Sequence, residues 1–160
     1  MNPRTLTFAL IGLAVAIALV AAGLFFSRGS RIILEGRIQK VRIQAIDENS
    51  TAFLVDFRVT NPSKHTFVLG TGTIEIDTND ARTLVGQTVS DRDAQRFLDA
   101  YPLLGPKFNK GMIPSEKLGS KQTSDYMLAA RIDAPEGAVN ARKKVRLRLK
   151  DVDGPESVVE

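Results

Sequence analysis

The chain has 160 residues, of which 43% are hydrophobic and 25% are charged, and its formal net charge is +4. This length accommodates one ordinary domain of about 100–150 residues plus an appendage. The composition excludes a disordered chain and a membrane protein with several spans. The absence of Cys excludes disulfides, thiol nucleophiles and Cys-ligated zinc, and the single His excludes metal centres built from several imidazoles.

The N-terminal segment contains an uncharged run of 23 mostly apolar residues, from Thr5 to Ser27. At a rise of about 1.5 Å per residue, a helix of this length crosses a hydrocarbon core of about 30 Å. The run has no polar face of the kind that a helix on a soluble core shows. We therefore expect a single transmembrane anchor over residues 1–27, followed over residues 28–40 by a juxtamembrane linker and the entry to the first strand.

A secretion signal is the alternative interpretation of this segment. Val20, Ala21 and Ala22 fit a cleavage site, but the apolar run is longer than the usual signal core of about 7–15 residues. The orientation is also ambiguous. Positive charges after the span favour a cytoplasmic domain, whereas a positive tip before an apolar run is typical of an uncleaved export signal. We expect a single-pass protein with its domain on the extracytoplasmic side.

Small residues recur at helical spacing within the apolar run. Those that we expect to pack against another membrane helix are Gly12, Ala16, Ala18 and Ala22. Small residues four positions apart let two helices approach closely in a bilayer. The alternative is that Ala is simply a common apolar residue.

The remainder, residues 41–160, is dominated by alternation of apolar and polar side chains, which is typical of strands. Residues 51–60 form the clearest strand, and residues 66–77 are predicted to return from it as the second arm of a hairpin, with a bulge at Gly70 or Gly72. Further strands are predicted at residues 40–45, 83–89 and 123–133, and a last one around residues 145–149. Short strands separated by turns predict a β-sandwich of two sheets.

One short helix interrupts the strands. Ser90 is a plausible N-cap with Asp93 at the capping-box position, and Pro102 ends the helix. Its apolar stripe consists of Ala94, Phe97, Leu98 and Tyr101. A second helical turn is expected around residues 136–142, after Pro135.

An apolar strand at Val55–Thr60 runs into Asn61-Pro62, and a second apolar strand begins at Phe67. This arrangement resembles the water-stress and hypersensitive-response domain of LEA-14-type proteins. The resemblance implies an immunoglobulin-like or fibronectin-like sandwich, often anchored to a membrane, with a role in protecting macromolecules under desiccation. The fold that we expect is therefore mainly β, an immunoglobulin-like β-sandwich with one short inserted helix, preceded by a single N-terminal transmembrane helix.

We find no pattern that predicts catalysis. His65 lies in a predicted loop, and no strand–elbow–helix motif accompanies it. Gly70 and Gly72 continue into a strand, whereas a phosphate-binding loop leads into a helix. Two acidic turns offer oxygen ligands, Asp77 with Asp80 and Asp151 with Asp153 and Glu156. Neither turn has the spacing of a calcium loop, and we expect no catalytic residue, metal site or cofactor.

Positive charge is concentrated near the C-terminus, with six basic residues among nine. The predicted partner-binding residues of this basic strand are Arg142, Lys144, Arg146, Arg148 and Lys150. The alternative is that these charges protect a sheet edge from aggregation. Nucleic acid is not expected as a partner, because no aromatic residue interleaves with the basic ones to stack on bases.

The connection from Pro102 to Pro114 is unusually apolar for a loop. Its apolar side chains either cap the core or form a contact patch. The small-residue span, the basic strand and the absence of a catalytic motif predict a non-enzymatic accessory or scaffolding subunit. Its expected partners are other membrane protein subunits, reached through the transmembrane helix and the domain surface, and the lipid bilayer. A stress-protective module acting on proteins or bilayers is the alternative.

Overall fold

A computed structural model of the chain describes residues 12–22 and 32–160, which belong to two separate compact units. The first unit contributes helix α1 (residues 12–22), whose described residues are all exposed. In the described residues, no helix is both long enough and apolar enough to cross a membrane. The predicted span from Thr5 to Ser27 extends at both ends beyond the described residues. Arg28 and Arg31, which follow the span, also lie outside the described residues.

The second unit begins at Ile32, inside the segment assigned to the linker and first strand entry. Residues 32–160 form ten strands, two α-helices and a short 3-10 turn. In chain order these elements are β1 (Glu35–Asp47), β2 (Ser50–Thr60), β3 (Phe67–Thr78), β4 (Thr83–Val85), β5 (Gln87–Thr88), α2 (Asp91–Ala100), the turn Pro102–Leu104, β6 (Lys110–Gly111), β7 (Lys117–Leu118), β8 (Thr123–Ile132), α3 (Glu136–Asn140), β9 (Arg142–Asp151) and β10 (Glu156–Val159).

The strands form two five-stranded sheets. The first has the order β1-β2-β8-β5, with β6 also paired to β8, and the second has the order β10-β9-β3-β4, with β7 also paired to β3. Pairing is antiparallel except between β6 and β8. The prediction of a mainly β protein with two sheets is confirmed.

The main core lies between the two sheets and follows the predicted alternation. On β2, the inward side chains of Phe53, Val55, Phe57 and Val59 are all fully buried. On β8 and β9 the same period buries Leu128, Ile132, Leu147 and Leu149. These side chains come from strands distant in sequence, so their burial holds the sheets face to face.

The outer face of β2 is buried as well. Helix α2 and the turn after it lie over this face and enclose Leu54 and Ala52 in a second apolar cluster, with Leu98 and Leu104 as covering residues. The predicted N-cap is confirmed, because the Ser90 hydroxyl accepts a hydrogen bond from the Asp93 N–H over 3.2 Å. The first sheet therefore has apolar layers on both faces.

The predicted hairpin between β2 and β3 is wrong. Both sides of β2 are already occupied, by β1 and β8, and β3 pairs with β9 in the opposite sheet. The chain crosses between the sheets at Asn61, whose buried side chain donates to the carbonyls of His65 and Leu118 over 2.8 and 2.9 Å. The predicted bulge is present, since the β3–β9 register shifts between Leu69 and Thr71.

Two further strand predictions need correction. The single strand predicted at residues 83–89 is two strands, β4 and β5, which belong to different sheets. The chain passes between the sheets at Gly86, where a Cβ atom would lie 2.8 Å from the Ala130 Cβ. The strand predicted as the last one, β9, is followed by β10, which pairs with residues from Leu147 to Lys150.

Candidate functional site

A buried ion pair joins the outer faces of β1 and β2. The Arg42 guanidinium donates to Asp56 Oδ2 from Nη2 over 2.8 Å and from Nε over 3.1 Å. Both side chains are 6% exposed. Period-two alternation places Arg42 and Asp56 on the faces of their strands that point away from the main core.

The loop after α2 supplies the cover. Arg42 Nη1 donates to the carbonyl oxygens of Leu104 over 2.5 Å and of Pro106 over 2.9 Å. The Asn109 amide donates to the other carboxylate oxygen of Asp56 over 2.9 Å. One arginine and one aspartate therefore hold three points of the same loop.

We call this segment, residues 102–109, the anchored loop. Burying an ion pair removes both charges from water, and the desolvation cost offsets most of the attraction. The pair is thus a poor source of net stability, but its directional hydrogen bonds define the path of the loop over β1. Gly105 lies in the left-handed region at φ 74°, which favours glycine at this turn.

The anchored loop presents two apolar side chains to solvent. Leu103 is 82% exposed and Phe108 is 63% exposed, whereas Leu104 between them is fully buried. The Arg42 guanidinium lies 5.1 Å from the centroid of the Phe108 ring, and the Lys40 ammonium lies 5.8 Å from the same centroid. Leu104 therefore caps a core, as one of the two alternatives predicted. Leu103 and Phe108 are exposed, and their part in a contact patch stays a prediction.

The structure places the basic strand, β9, between two acidic neighbours. Arg146 lies 2.6 Å from Asp77 on β3, and Arg148 lies 2.6 Å from Glu75 on β3 and 2.7 Å from Glu156 on β10. Lys144 lies 2.5 Å from Glu160. These pairs explain the run of positive charge by acids within the same domain. Sequence analysis missed them because the acids of β3 are about 70 residues away along the chain.

The other two residues of the predicted basic site differ from these. Arg142 donates to the Val139 carbonyl over 3.1 Å and lies 5.9 Å from the Phe53 ring centroid, at the end of the core. Lys150 is exposed near the far end of β9. Most side chains of the predicted partner-binding site on β9 therefore already bond to other groups of the same domain.

The small residues predicted to pack in the membrane lie on α1. Gly12, Ala16, Ala18 and Ala22 are all exposed there, and a Cβ on Gly12 would meet nothing within 4 Å. Gly12 and Ala16 are about one helical turn apart, and so are Ala18 and Ala22. Their packing against another membrane helix stays a prediction.

The remaining polar candidates are tied into turns. His65 is exposed, and its main-chain N–H and C=O bond to the Ser63 hydroxyl. In the acidic turn after β3, the Arg82 guanidinium lies 2.6 Å from Asp80. Over residues 12–22 and 32–160, no three His, Asp or Glu side chains lie close enough together to hold a metal ion.

The described fold defines a class, the β-sandwich proteins. The chain is similar to the crystal structure of an uncharacterized β-sandwich protein from Clostridium difficile, with a TM-score of 0.42 and 16% sequence identity. That similarity covers 82% of this chain and 89% of the other. No family model and no curated protein matches the chain.

Proposed function

We propose that the protein is a non-enzymatic accessory or scaffolding subunit of a membrane protein complex. In this proposal the N-terminal segment crosses the bilayer once, and an immunoglobulin-like sandwich on the extracytoplasmic side docks on a partner subunit. The uncharged run from Thr5 to Ser27 supports the anchor. The small residues of α1 would pack against a helix of the same complex.

The observation that carries the docking role is the anchored loop. Leu103 and Phe108 remain exposed although the loop is held by the buried Arg42–Asp56 pair. A flexible loop would lose conformational entropy on binding, whereas this loop is ordered before it meets a partner. Exposed aromatic and aliphatic side chains on a rigid support are typical of the centre of a protein interface.

Site-specific crosslinking of the full chain in its native membrane tests this proposal. A photo-reactive amino acid at position 103 or 108 should capture a defined membrane protein. The matched control is position 85 on β4, because Val85 is also apolar and 59% exposed but belongs to the other sheet. A monodisperse monomer in mild detergent, with no capture from position 103 or 108, would contradict the proposal.

Membrane insertion is tested separately. The full chain should stay with the bilayer after alkaline carbonate washing, and protease added outside intact cells should digest the domain. Release by carbonate would contradict the anchor. Protection from external protease would place the domain on the cytoplasmic side and leave the docking role to the crosslinking result.

A second proposal is a stress-protective module of the water-stress and hypersensitive-response type. It is supported by the Asn61-Pro62 segment, which forms the crossing between the two sheets. The full chain reconstituted in vesicles should then limit vesicle fusion and loss of an enclosed enzyme's activity during drying. Equal losses with and without the protein would count against it.

A further inference from the structure

A cleft lies at the end of the second sheet where β3 ends and β9 begins. Its volume is about 580 Å³, which is within the range of about 300–1,000 Å³ that is usual for small-molecule sites. Its lining includes Asp77, Asn79, Ala81 and Arg82 from the end of β3 and the turn to β4, and Lys143 and Lys144 from the start of β9. The anchored loop lies over the first sheet, so this cleft is a separate candidate site.

Positive charge exceeds negative charge in the lining of the cleft. Three cations, Arg82, Lys143 and Lys144, line it together with one carboxylate, that of Asp77. The Asp77 carboxylate already accepts a hydrogen bond from the Arg146 guanidinium over 2.6 Å. Its charge is therefore partly balanced by a residue outside the lining, and the cleft as a whole attracts anions.

Lys143 is placed at the cleft by a bulge in β9. The register against β3 advances by two residues on β9, from Arg142 to Lys144, and by one residue on β3. Lys143 is therefore the extra residue of the bulge. Regular alternation would put it on the core face with Val145, whereas its side chain is exposed. Among the described residues, Lys143 forms no ion pair.

The other two cations each have one acidic neighbour. The Arg82 Nε lies 2.6 Å from the Asp80 carboxylate, and the guanidinium carries two further NH₂ groups. The Lys144 ammonium lies 2.5 Å from the Glu160 carboxylate, and an ammonium has three N–H donors. Both pairs are exposed, and exposed pairs contribute little free energy. An anion with several oxygen atoms can therefore share or displace these neighbours.

The turn between β3 and β4 is held by its own main chain. The Thr78 N–H donates to the Arg82 carbonyl over 2.9 Å, and the Ala81 N–H donates to the Thr78 carbonyl over 3.2 Å. Ala81 has a φ of 63°, a left-handed conformation that is uncommon for a residue with a Cβ. The backbone beside Arg82 is therefore ordered before a ligand binds, which lowers the entropy cost of binding.

We propose that this cleft binds the phosphate group of a phosphate monoester. A phosphate dianion offers more charge and more acceptor oxygens than a carboxylate, which suits one arginine and two lysines. Arg82 supplies a planar set of donors, and Lys143 and Lys144 supply compact charges. The volume of the cleft leaves room for the organic part of the ester beside Asn79. This site goes beyond the proposed docking role, since it needs neither the anchored loop nor a partner subunit.

The main-chain amide signals of isotope-labelled lysines test the proposal by nuclear magnetic resonance. The full chain in an uncharged detergent is titrated at constant ionic strength with glycerol phosphate, and separately with phosphatidic acid added to the micelles. Saturable shifts at Lys143 and Lys144 with glycerol phosphate would assign the site to soluble esters. Shifts with phosphatidic acid alone would assign it to a lipid headgroup. Glycerol and phosphatidylcholine are the controls, and no shift with either phosphate monoester would overturn the proposal.

Two lysines of β9 provide matched variants. Lys143→Gln removes the cation that has no acidic partner and should weaken binding about fivefold or more, as followed at the Lys144 amide. Lys150→Gln removes an exposed charge near the other end of the same strand and should change binding by less than about twofold. Equal weakening by both variants would reduce the interaction to nonspecific attraction and overturn the proposal.

Glu160→Gln distinguishes a binding effect from a loss of folding. It removes the carboxylate beside the Lys144 ammonium and should tighten binding about twofold, which a misfolded variant would not do. Weaker binding in this variant would contradict the participation of Lys144.

Discussion

The Arg42 guanidinium and the Asp56 carboxylate form a buried ion pair with an Nη2–Oδ2 distance of 2.8 Å beneath the anchored loop. Removing the aspartate with Asp56→Ala leaves a buried cation without its counter-charge, and we expect a loss of about 3–5 kcal/mol in the free energy of unfolding. Urea denaturation followed by circular dichroism measures it. Asp125→Ala is the control, since its pair with Arg58 is exposed and its loss should cost at most about 1 kcal/mol.

The double substitution Arg42→Met with Asp56→Leu separates stability from loop geometry. Apolar replacement of a buried pair is often nearly neutral, so most of the unfolding free energy should return. The anchored loop would nevertheless lose its bonds to Leu104 and Pro106, and limited proteolysis should cut it faster than in the wild type. Wild-type resistance of the loop in this variant would contradict an anchoring role for the pair.

Truncation of two adjacent leucines of the anchored loop should change the unfolding free energy by very different amounts. Leu104→Ala removes a fully buried side chain from the second cluster and should cost about 2–5 kcal/mol in unfolding free energy. Leu103→Ala changes a side chain that is 82% exposed and should alter stability by less than about 0.5 kcal/mol. If Leu103→Ala instead lost as much unfolding free energy as Leu104→Ala, the exposed position of Leu103 would be contradicted.

Gly86 marks the passage of the chain from one sheet to the other. Gly86→Ala would place a Cβ 2.8 Å from Ala130 and 2.9 Å from Ile132, and we expect a cost of about 1–3 kcal/mol in thermal or urea unfolding. Gly137→Ala is the matched control in α3. No atom lies within 4 Å of that added Cβ, so the substitution should stabilise by up to about 1 kcal/mol through helix propensity.

Tyr126 provides a pH-dependent test. Burial raises the pKa of its phenol above 10.0, and the Glu116 carboxylate, 3.2 Å from the hydroxyl, raises it further. The folded state thus holds this proton more tightly than the unfolded state, so the contribution to stability is present below pH 10 and is lost as the pH rises through the folded-state pKa.

The measurement uses Tyr101→Phe, which leaves Tyr126 as the single tyrosine of the chain. The phenolate absorbance should rise at a higher pH in the folded protein than in urea. Adding Glu116→Gln should move the folded midpoint down, because the carboxylate no longer opposes a second negative charge. An unchanged midpoint would show that burial alone accounts for the shift.

Local patterns predicted most elements of the domain. The alternation along β2 and β8 and the capping residues of α2 act over a few positions, so they are readable without the rest of the fold. Strand partners were harder. The turn at Asn61 looks like a hairpin in sequence, yet the strand that follows it pairs with β9, because β2 already has two neighbours. Strand β10 was missed because four residues show too little periodicity.

The candidate surfaces were predicted only in outline. The apolar connection after α2 was recognised as a cap or a contact patch, but the burial of Leu104 and the exposure of Leu103 depend on the turn Pro102–Leu104. The basic strand was recognised as a charged face. Its neutralisation by Glu75 and Asp77 depends on the register of β3 against β9, which no local pattern contains.

The amino-acid sequence by itself determined the two-sheet β architecture, the capped helix and the separation of an apolar N-terminal run from a polar domain. These properties follow from side-chain periodicity and hydrophobicity, which are local. The tertiary structure alone decided which charges meet. Arg42 meets Asp56, and Arg146 meets Asp77, only when their strands adopt their register. The first pair is also buried, and its hydrogen bonds hold the anchored loop.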